Sequence, residues 1–157
     1  MKKGFTLIEM LVVISIIGIL ATLIFARLGS TEKAGRDTKR KSDLNQYRIA
    51  LQNFAAAHNG VYPVGNNCAH TILATALGDY LSVFPTDPLN PACDWTKRLY
   101  SYKSGTSDGM KYVLYVHGAL ESDLTKTWYV CWNGKTGLVD NNPGAVYSGS
   151  GSACQVE

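Results

Sequence analysis

Proline, cysteine and tryptophan are missing from the first sixty residues. All five prolines (Pro63, Pro85, Pro88, Pro91, Pro143), all four cysteines (Cys68, Cys93, Cys131, Cys154) and all three tryptophans (Trp95, Trp128, Trp132) lie beyond that point. A stretch without helix breakers reads as one long element, and the remainder as a compact, turn-rich head. Charge is scarce too, at 17% of residues against about a quarter in a typical soluble domain. Together with 46% hydrophobic residues, this excludes disorder as a description of the whole chain. The net charge of +3 is uneven: residues 27–48 hold seven bases and three acids, residues 49–157 six bases and eight acids. A uniformly basic nucleic-acid binder is therefore excluded.

Signatures of catalysis are also missing. Gly134-Lys135-Thr136 lacks the first glycine of a phosphate-binding loop, position 129 being tyrosine. Gly149-Ser150-Gly151 follows no strand-to-helix pattern for a dinucleotide, and there is no G-x-S-x-G elbow. His58, His70 and His117 stand apart from one another in the sequence. The nine tyrosines and three tryptophans fit strand core and sheet surface better than a sugar platform. The expectation is a protein that is not an enzyme and uses no cofactor.

What is present begins at the N-terminus. Residues 10–26 carry no charge, and with the apolar flank from Phe5 they approach the ~20 residues a helix needs to cross a bilayer. A secretory signal peptide is the rival interpretation. No A-x-A site follows the stretch, Ala21 and Ala26 being the only candidates, and Glu9 stands at its start. A carboxylate near lipid is costly, by roughly 2.5–3.5 kcal/mol at a helix centre and less at an interface. Glu9 either stays at headgroup level and supports the first helical turn, or pairs with a positive group in an assembly. The available partners are Lys2, Lys3, or a new α-amine made by cutting the chain before Phe5.

Lys2-Lys3-Gly4 followed by Phe5-Thr6-Leu7-Ile8-Glu9 and a long apolar helix resembles the class III leader of type IV pilins and pseudopilins. The resemblance implies cleavage between Gly4 and Phe5 by a prepilin peptidase, which also methylates the Phe5 amine. It implies that the apolar helix first holds the subunit in the cytoplasmic membrane with the head outside. The helix then becomes the core of an extracellular filament of identical copies. Glu9 would pair with the Phe5 amine of a neighbour, and an assembly platform and ATPase would drive extraction. In this sequence position 26 is alanine, where many pilins carry a helix-breaking proline.

Beyond the apolar run the helix is expected to continue. Leu44, Tyr47, Leu51, Phe54 and His58 recur at spacings of 3, 4, 3 and 4, forming one stripe. Asn59-Gly60 and then Pro63 supply the stop. Gly29 and Gly35 are points where such a helix can bend. Arg36, Lys39, Arg40 and Lys41 with Asp37 and Asp43 read foremost as a solvated face with i,i+4 pairs. The alternatives are contact with anionic headgroups or with other subunits, and DNA contact has no base-reading motif behind it. Bases near the apolar run are more numerous on its C-terminal side, which on charge alone would place that side in the cytoplasm. The leader and the cysteines point the other way.

The head offers four cysteines without a C-x-x-C pair, which in an oxidising compartment suggests two disulfides with three possible connectivities. Chain order favours Cys68 with Cys93 and Cys131 with Cys154. The second would close the Gly149-Ser150-Gly151-Ser152 tail onto a strand, and it resembles the disulfide-bounded loop of many pilins. Ile72, Leu73, Ala76, Leu77, Tyr80 and Leu81 suggest a short amphipathic helix ended by Pro85, followed by a proline-rich loop. Arg98–Tyr102, Lys111–His117 and Thr127–Trp132 are strand candidates, with Leu138-Val139 as a short fourth after the Asn133-Gly134 turn. Links at Gly105–Gly109 and Leu120–Lys126 are short enough for antiparallel pairing.

The expected fold is α+β and pilin-like: one long N-terminal helix packed on a three- to four-stranded antiparallel sheet. The expected divisions are a leader at 1–4, a transmembrane and filament-core helix at 5–26, an amphipathic continuation at 27–59 and the head at 60–157. Pro85-Thr86-Asp87-Pro88, Tyr100-Ser101-Tyr102, Lys111–Leu114 and Leu120-Glu121 are similar to the major pseudopilin of type II secretion. Those pseudopilins bind calcium; Glu121 with Asp123, or Asp140 with Asn141, are candidate oxygen donors here, and no metal is assigned. Three functions are therefore carried: a pilus subunit, a pseudopilin of a secretion or DNA-uptake machine, and a membrane-anchored binding module.

Overall fold

The computed structural model describes residues 4–104, 109–140 and 154. Lys2, Lys3, the Gly149–Ser152 tail, Asn141 and most of the Gly105–Gly109 link lie outside the described residues.

The first helix, α1, runs unbroken from Leu7 to Ala57, 51 residues, or about 77 Å at 1.5 Å per residue. Gly18, Gly29 and Gly35 do not end it, and no proline interrupts it. It starts two residues later than Phe5 because Thr6 is the N-cap, in extended conformation. It stops where the backbone turns left-handed at Asn59 (φ 55°) and Gly60 (φ 82°), with the Gly60 N–H donating to the Ala55 carbonyl at 2.8 Å. Asn and Gly tolerate this conformation better than other residues do.

The two halves of α1 have opposite surroundings. Leu7 is 83% exposed and Ile17 59% exposed. Leu44, Tyr47 and Leu51 are fully buried. The buried stripe is the one set by the sequence periodicity, and it meets a sheet.

That sheet has five antiparallel strands in sequence order: β1 (Asn66–Cys68), β2 (Leu99–Ser104), β3 (Tyr112–His117), β4 (Lys126–Cys131) and β5 (Thr136–Asp140). The sequence suggests three or four. The fifth, β1, is only three residues long and carries two asparagines, so it has no strand signal. Its pairing of Asn67 with Tyr102 and of Cys68 with Ser101 creates it. A second helix, α2 (Ala69–Ala76), begins and ends earlier than the pattern Ile72–Leu81 suggests. Leu77 is its C-cap and Gly78 follows, so Tyr80 and Leu81 pack from a turn.

Strand alternation divides the sheet into two faces. Tyr100, Tyr102, Tyr112, Leu114, Val116 and Val130 join Leu44, Tyr47 and Leu51 of α1 and Leu73 and Leu77 of α2 in the main core. Val113, Tyr115, Tyr129, Cys131 and Cys154 form a second cluster. Tyr47, Tyr100, Tyr102 and Tyr112 are thus core residues, and two of the hydroxyls fix loops: Tyr47 donates to the Pro85 carbonyl at 2.8 Å and Tyr102 to the Pro63 carbonyl at 2.6 Å. Disulfides join Cys68 to Cys93 and Cys131 to Cys154. Gly109 (φ +68°) lets the chain pass against Tyr62, whose carbonyl oxygen would lie 2.4 Å from any Cβ placed there.

Candidate assembly site and the joint between helix and head

Two polar constellations govern α1. The first is at its tip. Thr6 and Glu9 form a reciprocal cap. The Glu9 N–H donates to Thr6 Oγ1 at 3.3 Å, while Glu9 Oε2 accepts from the Thr6 N–H at 2.8 Å and from its hydroxyl at 2.7 Å. The pattern Thr-x-x-Glu before an apolar run is the sequence signature of this cap, and it was there to be read. Phe5, Ile8, Glu9, Val12 and Val13 line a shallow groove of about 350 Å³. Gly4 and Phe5 precede the helix and are exposed, Phe5 by 76%. Among the described side chains from Phe5 to Ile24, Glu9 is therefore the one carboxylate on an otherwise uncharged surface, and only one of its oxygens is engaged by Thr6.

The second constellation corrects the expectation of a solvated basic face. Arg40 is fully buried, and Asp37 and Asp43 are 1% and 5% exposed. The Arg40 guanidinium is bidentate on Asp87, with Nε to Oδ2 at 2.6 Å and Nη2 to Oδ1 at 3.1 Å. Its Nη1 meets Asp37 Oδ1 and Glu121 Oε1, each at 2.7 Å. Arg36 grips the same Glu121 through Nε at 3.0 Å and Nη2 at 2.6 Å. Asp37 also accepts from the Glu121 and Ser122 backbone N–H groups and the Ser122 hydroxyl, at 3.1, 2.7 and 2.6 Å. Only Lys39 of the basic run is freely exposed, while Lys41 lies over the Trp128 ring at 4.9 Å.

The charges respond accordingly. Hydrogen bonds from Arg36 and then Arg40 outweigh burial and bring Glu121 down to about 2. At Arg40, burial would favour deprotonation, but hydrogen bonds to Asp87, Glu121 and Asp37 hold its proton more firmly than usual. At Asp37, burial pushes the carboxyl up, and the hydrogen bonds from Ser122, the Glu121 backbone and Arg40 prevail and lower it. Asp43 goes the other way: burial raises it, against one hydrogen bond from Tyr100 at 2.7 Å.

This joint leaves Glu121 no role as a cation ligand, since its oxygens are taken by two arginines. Asp123 Oδ1 accepts from the Thr125 N–H and hydroxyl at 2.9 and 2.6 Å. Among the described residues no group of acidic, histidine or cysteine side chains could hold a metal ion. The histidines stay separate: His58 stacks on Phe54 at 3.9 Å, His117 meets Trp95 edge-on, and His70 lies 3.4 Å from the Thr71 hydroxyl.

A family model, the prokaryotic N-terminal methylation motif, matches residues 1–25. The chain thus carries the class III leader of type IV pilin precursors, followed by a transmembrane helix and a pilin-like α+β layout. The motif implies processing by a prepilin peptidase and pilus assembly. No curated protein and no solved structure matches the chain.

Removing one partner of a buried ion pair leaves uncompensated charge, at a cost of about 3–5 kcal/mol. Arg40→Ala should lower the unfolding free energy by that amount in urea titration, and Lys39→Ala by less than about 0.5 kcal/mol. Similar midpoints for the two variants would show that the joint does not hold the head. The depressed Glu121 carboxyl stabilises the folded chain above its unfolded value of 4.5. That stabilisation should disappear as pH falls from about 4.5 to about 2. A Glu121→Gln chain should lose less stability over this window, as followed by tryptophan fluorescence.

Proposed function

We propose that this chain is the structural subunit of a type IV pilus-like extracellular filament, cut after Gly4 and built from copies of itself. The observation that carries the reading is the exposed apolar half of α1, with Glu9 as its one carboxylate. Such a surface is as well solvated by lipid as by a bundle of its own copies, so transfer between the two need not expose it to water. An unpaired carboxylate inside an apolar bundle is costly. Glu9 therefore admits a subunit only in the register where its free oxygen meets a positive group, and the methylated Phe5 amine of a neighbour supplies one. The role is mechanical: prepilin peptidase, an assembly platform and an ATPase do the chemistry, and this chain catalyses none.

A second reading, a pseudopilin of a type II secretion or competence machine, keeps the same processing and shorter filaments. It is favoured by the likeness to the major pseudopilin of the segments around Asp87 and Glu121, two of the three carboxylates that hold Arg40. Two disulfides favour the exposed pilus.

Replacing Gly4 by valine should abolish cleavage, leaving a chain that begins at Met1 by intact mass. Normal processing would overturn the assignment of Gly4. Glu9→Ala should enter the membrane as the parent does, while sheared filament falls roughly tenfold or more, the factor that 1.4 kcal/mol of lost pairing represents. Undiminished filament would remove the role given to Glu9. A chain starting at Phe5 and one methyl group heavier, found in the sheared fraction, supports the pilus; the same chain confined to membranes supports the pseudopilin.

A further inference from the structure

The head has a definite lower end. Helix residues 36–43, the part of the buried segment nearest the apolar run, hold Glu121, Ser122, Asp87 and Tyr100. Farther along α1, Arg48 lies beside the turn at Gly134. The start of β2, the end of β3 and the start of β4 therefore face the membrane side. At that end lies a groove of about 330 Å³ lined by Trp95, Lys97, Arg98, His117 and Leu124 among others. Trp95 is 46% exposed and Leu124 69%, with Leu89, 56% exposed, on the neighbouring proline-rich loop. The Trp95 ring is set edge-to-face against His117, centroids 5.1 Å apart, and Arg98 is fixed by donating to the Ala119 carbonyl. No carboxylate is among the lining residues; Lys97 Nζ lies 3.4 Å from Asp94 Oδ2 beside the groove, an exposed pair that leaves the lysine open to solvent.

We propose that this groove is an interfacial docking surface that rests on the headgroups of the membrane in which α1 is anchored. A half-exposed tryptophan beside leucines and cations is the composition of a bilayer interface, where indole sits at headgroup level and nearby lysine and arginine are drawn to anionic lipid. The distance suits it. Asp37, which holds the loop bearing Leu124, follows Arg27 by ten residues, about 15 Å along the helix. One headgroup layer takes up about 5–8 Å of that. Transmembrane helices tilt by about 20° on average, and a lean toward the head lowers the groove further toward the bilayer. The surface continues an interface already set by the transmembrane helix, so the inference depends on that anchor and not on filament assembly.

The test uses the full chain, one copy per nanodisc, in phosphatidylcholine with a minority of phosphatidylglycerol. Lipids brominated high on the acyl chain quench tryptophan on contact. The Trp95 signal is the difference between the parent and Trp95→Phe. Brominated lipid should remove about half or more of that signal. Lys97→Gln should lower the ratio of docked to free heads about fivefold, the worth of one cation at an anionic surface. The Glu9→Ala chain should be quenched as the parent is, which separates this inference from the proposed function. Equal Trp95 emission in brominated and plain discs overturns the proposal. So does a Trp95 change that appears only with several copies per disc, which would assign the groove to a second subunit.

Discussion

A guanidinium shut away from water must be surrounded by opposite charge, and Arg40 draws its partners from separate places in the chain. Asp37 comes from its own helix, Asp87 from the proline-rich loop and Glu121 from the loop between β3 and β4. One side chain thereby fixes two loops to one level of α1. The net gain in stability from such a buried cluster is small, because desolvation offsets attraction. Its effect is on geometry: any other register of the head along the helix would leave at least one charge unpaired. The apolar stripe alone is less exacting, since Leu44, Tyr47 and Leu51 would fill a slid interface almost as well.

The order along α1 follows from this. Among the described residues, the uncharged side chains up to residue 24 stand clear of the head, whereas one face of residues 40–51 is closed over by it. The helix is a rod whose upper half is locked into the head. Displacing the lower half therefore displaces the head with it. For a subunit that leaves a membrane and enters a filament, as proposed, a rigid rod transmits the pull directly. A soft joint would let the helix move while the head lagged behind. Gly29 and Gly35 lie just below the joint, in exposed helix, where bending would be least costly.

Much of this was legible in the sequence, for physical reasons that differ by residue. The apolar run, the Leu44–Leu51 stripe and the Asn59-Gly60 stop are local signals, and the helix follows them to within two residues. Strands β2 to β5 announced themselves by alternation and by β-branched and aromatic residues. β1 did not, because its existence depends on a partner strand more than thirty residues away. The charges around Arg40 were misread for the same reason. At i,i+3 and i,i+4 spacing, Asp37 with Arg40 and Lys41, and Lys39 with Asp43, satisfy the rule for a solvated face. Nothing local reveals that Asp87 and Glu121, 47 and 81 residues farther on, arrive to bury them. The tip was partly legible: Glu9 stood out by its isolation, while the cap that orients it was written in Thr6.

The two polar constellations answer opposite requirements on one helix. At the joint, two cations face three anions, and backbone and hydroxyl donors from Glu121, Ser122 and Leu89 satisfy the surplus. That set is closed around the fully buried Arg40, and only Arg36 reaches outward, to Glu32 at 3.8 Å. At the tip, a single carboxylate is half satisfied by Thr6 and retains one oxygen. A closed network makes a permanent fold, and an open one makes an association that depends on what comes to meet it. Exchanging the two arrangements would give a head free to detach and a helix indifferent to its neighbours. The placement of charge along α1 thus separates what must hold within one chain from what remains available between chains.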